Sequence, residues 1–218
     1  CLGDTMKILI LFSLLFFSGC STYIVQTSSG SNLEVQGIIF NESDGITVDQ
    51  VTVTNPNIED DLRFPANVIK LPGTKTPEIL DFGLAFDDST EEEAYIIAQM
   101  PHARKDFTDL GAHFHWETEN NNSGAVVWCL EYKWGNINGN YSNFVTKCVT
   151  DNSMNNSNMH LMTKMIYLNG SNYSYSSIIK GRIYRDATNL NDTYNSDAIL
   201  TEFDIHYQIG GFVADDYD

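Results

Sequence analysis

The chain has 218 residues, with 29 acidic against 12 basic side chains and a net charge of −17 at pH 7. That balance repels a phosphate backbone and argues against nucleic-acid binding. A content of 42% hydrophobic and 12% aromatic residues excludes wholesale disorder, and the length suits one β domain with an N-terminal extension.

The first twenty residues read as a leader. Met6-Lys7 opens a short positive region, and the apolar run Ile8 to Phe17 is too short to span a bilayer as a stable helix. The closing Phe17-Ser18-Gly19-Cys20 is similar to a bacterial lipobox, in which Cys20 would be the lipidated residue. The competing reading is an ordinary signal peptide or a start that lies elsewhere. A single lipid chain anchors weakly, so Cys20 alone leaves firm membrane attachment open. Residues 21–59 read as a Ser-rich linker (STYIVQTSSGSN) followed by a short β segment, with two strands expected around Asn41 to Gly45 over 33–54. Asn55-Pro56 breaks that pattern.

From Asp60 short strands recur, at about 67–71, 79–86, 94–100, 111–118, 125–134, 144–150, 160–168, 177–185 and 199–209. Thr90 to Ala94, with Glu91, Glu92 and Glu93, hints at one helical turn whose N-terminus would favour carboxylates. No helical period is sustained and no internal repeat is visible. The expected fold is an all-β antiparallel sandwich, jelly-roll-like, over residues 60–210, with an acidic tail over 211–218.

Two segments carry strict alternation, the mark of half-buried strands. Phe114 and Trp116 oppose His113, His115, Glu117 and Glu119, while Val126, Trp128, Leu130, Tyr132 and Trp134 oppose Val127, Cys129, Glu131 and Lys133. In the last strand Phe203, Ile205, Tyr207 and Ile209 alternate with Glu202, Asp204, His206 and Gln208. The expected core is therefore Trp116, Trp128, Leu130, Tyr132, Phe203 and Ile205, with the charged faces outside or between subunits. Cys129 and Cys148 lie symmetrically about Asn138-Gly139, a two-residue hairpin signal that would set the sulfurs across adjacent strands. A disulfide there and two free thiols flanking a longer loop are both open.

For chemistry, His113 and His115 at i, i+2 share a strand face, and Glu117 or Glu119 extends it. A metal site of His113, His115 and Glu119 is one reading, since two imidazoles and a carboxylate suit a transition metal. Its spacing is similar to the H-x-H-plus-glutamate of cupins, although the flanking glycines of that motif are missing. The other reading is two surface or interface histidines. His102 and His206 could each complete a site or simply hydrogen-bond at the surface. No G-x-S-x-G, P-loop, HExxH or paired CxxC is present, and no nucleophile has a base beside it. The sequence points to no catalytic residues and no cofactor, a divalent metal excepted. Sequons such as Asn121-Asn122-Ser123 and Asn172-Tyr173-Ser174 are expected by chance in so Asn- and Ser-rich a chain.

The segments DDLRFPA (60–66), KLPGTK (70–75), TEEEAY (90–95), MPHARKDFTDLGAHFHW (100–116), VVWCLEYKWGNI (126–137), IIKGRIYRDATN (178–189) and DTYNSDAILTEFDIHYQI (192–209) resemble, in that order, a family of virion-associated proteins encoded in tailed-phage and prophage genomes. The resemblance covers essentially residues 60–210 and implies a β-sandwich serving as a structural or attachment component of a phage-like particle. It implies no catalysis, and partners that are other copies of the chain and other particle proteins. The leader and the GGFVADDYD ending depart from that family's pattern. A second reading is an exported, lipid-anchored protein that binds cell-surface glycans through aromatics such as Tyr141, Tyr173 and Tyr175, and a third is a cupin-like metal-binding protein. The location follows the choice: virion for the first, exported and lipid-anchored for the second.

Overall fold

The structure is a computed structural model that describes residues 59–157 and 159–210, together with the strand backbones Thr22–Gln26, Asn32–Asn41 and Gly45–Val53. The expected lipidation site Cys20 and the tail 211–218 lie outside the described residues. The chain divides into two compact units, Cys1–Pro56 and Asn57–Asp218. In the first, β1 (Thr22–Gln26), β2 (Asn32–Asn41) and β3 (Gly45–Val53) form an antiparallel sheet in that order. The segment read as linker thus contributes β1 and the start of β2. Its Thr, Tyr, Ile and Val are β-formers, and they outweigh the neighbouring serines.

The second unit is an antiparallel β-sandwich. One sheet runs β10 (Val145–Asn152), β9 (Ala125–Gly135), β13 (Ile178–Arg185), β7 (Glu93–Gln99). The other runs β11 (Leu161–Met162), β8 (Leu110–Thr118), β14 (Ala198–Gln208), β6 (Leu84–Phe86), β5 (Glu78–Ile79). To it β12 (Ile166–Leu168) adds on β8 and β4 (Glu59–Pro65) on β14. The polar turn after β8 therefore carries the chain from one sheet to the other.

Alternation decides what fills the space between the sheets. Phe114 and Trp116 from β8, Trp128, Leu130 and Trp134 from β9, and Phe203 and Ile205 from β14 are fully buried in one core, with Tyr132 nearly so. Phe114 stacks on Trp128 at 5.2 Å between ring centroids, and Phe86 meets the same indole edge-on at 5.2 Å. These contacts bring aromatic rings of both sheets within the distances at which such pairs add to simple burial. Two of the three core indoles are hydrogen-bonded: Trp116 Nε1 donates to Asp151 at 2.9 Å and Trp134 Nε1 to Ser177 at 2.8 Å. Arg185 is buried as well. It donates to both carboxylate oxygens of Asp192 and to the carbonyls of Phe86, Ser196 and Tyr194, so every arm of its fork is occupied.

Four local expectations are corrected. Residues 66–68 form a 3-10 turn, with Lys70 pairing Tyr95 in an isolated bridge, where a strand over 67–71 was expected. The acidic stretch 60–65 is strand β4 instead, because its Leu62 and Phe64 pack on the core. Residues 90–94 hold no helical turn. Asp87 accepts from the backbone of Ser89 and Thr90, and Glu93 begins β7, while Glu91 and Glu93 pair with Arg182. Strand 79–86 is split, since Leu80 N bonds Gly83 O and folds the segment back on itself.

Cys129 and Cys148 are register partners joined by a disulfide. The connection between their strands is not the two-residue turn. It spans 136–144, and Gly139 N donates to Asn136 O with Asn138 at φ 57°. That left-handed position suits asparagine.

Candidate functional site: a histidine and carboxylate cluster and a cationic groove

Four of the chain's five histidines gather on the outer face of the seven-stranded sheet. On β8, His113 and His115 project opposite the buried Phe114 and Trp116. On β14, Asp204 and His206 do the same opposite Phe203 and Ile205. The register pairs Asp204 with His113 and Glu202 with His115, and β4 lies on the other side with Asp61 opposite His206.

A bulge makes this possible. Ala198 and Leu200 point into the core, yet so do Phe203 and Ile205, so the parity of β14 switches between Leu200 and Glu202. The extra residue, Thr201, donates its hydroxyl to His115 O at 3.0 Å. Without that bulge a two-residue period would turn Asp204 and His206 inward, because a one-residue slip exchanges the faces.

The ligand-type atoms converge. His113 Nε2 lies 2.8 Å from Asp204 Oδ1, 3.1 Å from His115 Nε2 and 3.2 Å from His206 Nε2. His206 Nε2 is 3.8 Å from Asp204 Oδ1, and His115 Nε2 is 3.2 Å from Asp204 Oδ2. Outside this ring, His206 Nδ1 is 2.8 Å from Asp61 Oδ1 and His115 Nδ1 is 2.7 Å from His160 Nε2. His113 and Asp204 are 5% and 4% exposed, so the cluster is not the open polar face that the alternation suggested. Burial holds the His113 imidazole below its ordinary pKa, with Asp204 pulling the other way and His206 and His115 reinforcing the drop. Beside the cluster Arg63 grips Glu202 through two hydrogen bonds of 2.5 and 2.8 Å, which holds the Glu202 carboxyl below its usual range.

Of the residues expected at a metal, His113 and His115 are both in this cluster. Glu119 is not, and the carboxylate that the structure places in the cluster is that of Asp204. Glu119 lies beyond the end of β8, about 13 Å from His115 at the usual strand rise, and its carboxylate accepts from Asp197 N at 3.4 Å. His102 is also elsewhere, bonded to Ser176 Oγ at 2.8 Å. The sequence signal for Asp204 and His206 was the D-x-H that mirrors H-x-H across the sheet. Asp61 and His160 had no signal, because strand pairing and a loop bring them in.

A second feature lies on the outer face of the four-stranded sheet. A groove of about 560 Å³ is lined by Lys70, Tyr95, Ile97, Lys133, Phe144 and Lys180, among others. Lys133 and Lys180 are direct register partners on β9 and β13. The Lys180 ammonium sits 4.3 Å from the Tyr141 ring centroid, and Lys133 lies 4.8 Å from that of Phe144. Neither ammonium has a carboxylate partner among the described residues. Arg182, one step along β13, is by contrast held by Glu91, Glu93 and Glu131. Tyr173, read as an exposed platform, instead stacks on Trp134 at 4.2 Å.

No protein-family model matches the chain, and no curated protein matches it. Among solved structures it is similar to dimeric latent PorU from Porphyromonas gingivalis, with 10% identity and a TM-score of 0.34 over 69% of this chain and 13% of that one. It is also similar to infectious bursal disease virus, Gt strain, with 11% identity and a TM-score of 0.36 over 84% of this chain and 43% of that one. The VP2 subviral particle of the same virus gives 9% identity and a TM-score of 0.34 over 84% and 44%. The chain spans less than half the length of each, and likeness at this level carries no argument about function.

Proposed function

We propose that this chain is a non-catalytic structural or attachment protein of a phage-like particle, and that it attaches through the groove around Lys133 and Lys180 to an acidic partner. Cell-surface glycans bearing carboxylates are the partner class that fits. The carrying observation is the Lys133–Lys180 pair itself. Like charges directly opposite on neighbouring strands destabilise a sheet. Here they stand over Tyr141 and Phe144 in a chain of net charge −17, which has acidic residues in excess to neutralise them. An anion between the two ammoniums removes the repulsion, and the flanking rings offer an apolar platform for a sugar face. The resemblance of residues 60–209 to virion-associated proteins supports the particle setting, and assembly as a closed homo-oligomer would multiply weak contacts of this kind.

The test is binding to immobilised glycans with and without carboxylates. Retention of the acidic glycans alone, weakening as salt is raised and abolished in a Lys133→Glu/Lys180→Glu variant of unchanged thermal stability, is the expected result. Equal binding of neutral and acidic glycans, or undiminished binding by the variant, refutes the reading.

A further inference from the structure

We infer that His113, Asp204 and His206 form a binding site for a divalent transition-metal ion, with zinc the expected occupant, and that the ion ties β8 to β14 while Asp61 on β4 buttresses it. The inference is independent of the groove and its partner.

The donor atoms already have the spacing of a coordination sphere. Zinc bonds imidazole nitrogen at about 2.0–2.1 Å and carboxylate oxygen at about 2.0–2.2 Å, so ligand atoms on one tetrahedral face stand about 3.3 Å apart. The triangle of His113 Nε2, His206 Nε2 and Asp204 Oδ1 has sides of 3.2, 3.8 and 2.8 Å. All three atoms lie within 4.8 Å of one another. His115 Nε2, 3.1 Å from His113 Nε2 and 3.2 Å from Asp204 Oδ2, is the nearest side chain for a fourth position.

Hydrogen bonding alone does not account for the arrangement. His113 Nε2 carries at most one proton, yet it faces two imidazole nitrogens and a carboxylate oxygen. Asp204 Oδ1 is buried and makes no hydrogen bond among the described residues, despite lying 2.8 Å from His113 Nε2, because the approach is out of line. A buried carboxylate oxygen without a proton to accept is costly, and so are imidazole lone pairs aimed at one another. A cation among them turns both costs into bonds.

The outer contacts fit the same reading. A metal-bound histidine usually gives its other ring N–H to a carboxylate or a similar acceptor, which fixes the tautomer and frees the remaining lone pair. His206 has Asp61 at Nδ1, and His115 has His160. Imidazole donors select zinc and its transition-metal neighbours over calcium or magnesium, which prefer all-oxygen shells. The side chains of His206 and His115 are 21% and 18% exposed, so an ion can enter from their side. The cluster lies outside the groove, and with His113 and Asp204 buried the ion serves the sheet as a clamp.

The test is metal content and binding in the full chain. After chelation and dialysis, titration with zinc chloride followed by elemental analysis is expected to give one ion per chain. Cobalt loading is expected to give the visible bands of a tetrahedral nitrogen- and oxygen-ligated ion. His206→Gln is expected to abolish stoichiometric binding. Asp61→Asn, which leaves every ligand atom in place, is expected to weaken zinc about 10- to 100-fold. If His206→Gln fails to fold, the cobalt spectrum of the unaltered chain and the Asp61→Asn titration decide. Absence of stoichiometric zinc in the unaltered chain overturns the inference, as does equal affinity in the unaltered and Asp61→Asn proteins.

Discussion

The two outer faces of the sandwich begin from the same alternation and end as opposite environments. On the seven-stranded sheet, the outward residues of β8 and β14 are titratable groups whose polar atoms converge to within about a hydrogen bond of one another, and two of them are buried. On the four-stranded sheet, the outward residues of β9 and β13 include two ammoniums set side by side over aromatic rings, with no carboxylate paired to either among the described residues. The first face has too few protons for its acceptors, and the second has too few acceptors for its cations. The proposed cation would relieve the first imbalance and the proposed anion the second. Residue type and period are the same kind of information on both. What separates the faces is register, set on the first by the Thr201 bulge and on the second by the pairing of β9 with β13.

Removing what the faces share should have the largest effect. Trp128 lies between the sheets against Phe86, Phe114 and Trp116. Trp128→Ala should destabilise by about 3–5 kcal/mol, enough to unfold a marginal domain. Chemical denaturation would measure it, and a loss under about 1 kcal/mol would mean that this indole does not hold the sheets together.

The disulfide belongs to the four-stranded face alone. Cys129 and Cys148 are 19 residues apart, and the crosslink should contribute about 3 kcal/mol on chain-entropy grounds. A Cys129→Ala/Cys148→Ala variant should lose that amount yet keep the zinc affinity of the parent. A matching loss of zinc affinity would show that the two faces are coupled.

Gly111 probes the other face. It precedes His113 on the outer side of β8 and pairs with His206, and a Cβ there would collide with the Met165 side chain. The neighbour is the flexible end of a methionine, so Gly111→Ala should cost about 1–3 kcal/mol by overpacking. Thermal melts would read this. An unchanged melting point would mean that Met165 moves aside freely and packs loosely over this corner of the cluster.

Much of the fold was legible. The two-residue period of β8, β9 and β14 gave the core aromatics because those strands are buried on one side, where pattern and packing agree. β4 was not legible as a strand, since DDLR carries three charges in four residues and only pairing with β14 makes it one. At the cluster, H-x-H marks two of the converging side chains, His113 and His115. The carboxylate beside them is that of Asp204 and not the expected Glu119, because sequence proximity stands in poorly for a neighbour on another strand. His160 and Asp61 are 45 and 145 residues from the histidines they touch, separations that no local pattern reaches. The groove shows the same divide: Tyr141 reads from sequence as an exposed aromatic, whereas the lysine pair that gives it meaning depends on β9–β13 register.

The smallest expected effect is the most specific to the comparison. Lys133→Met and Lys180→Met keep most of each apolar stem over its ring while removing the charge. Single substitutions mix two opposing changes, relief of repulsion and loss of a cation–π contact of comparable size. A double-mutant cycle separates them, because each cation–π loss appears once in a single and once in the double and cancels. The remaining coupling between the two lysines should be repulsive by about 0.2–1 kcal/mol at low ionic strength. Salt should shrink it, since both ammoniums are partly exposed and screened. Stability in urea at low and high salt would give the four corners of the cycle. A coupling of zero at low salt would mean that the ammoniums do not face each other, and the groove would then lose its reason to take an anion while the histidine cluster stood unaffected.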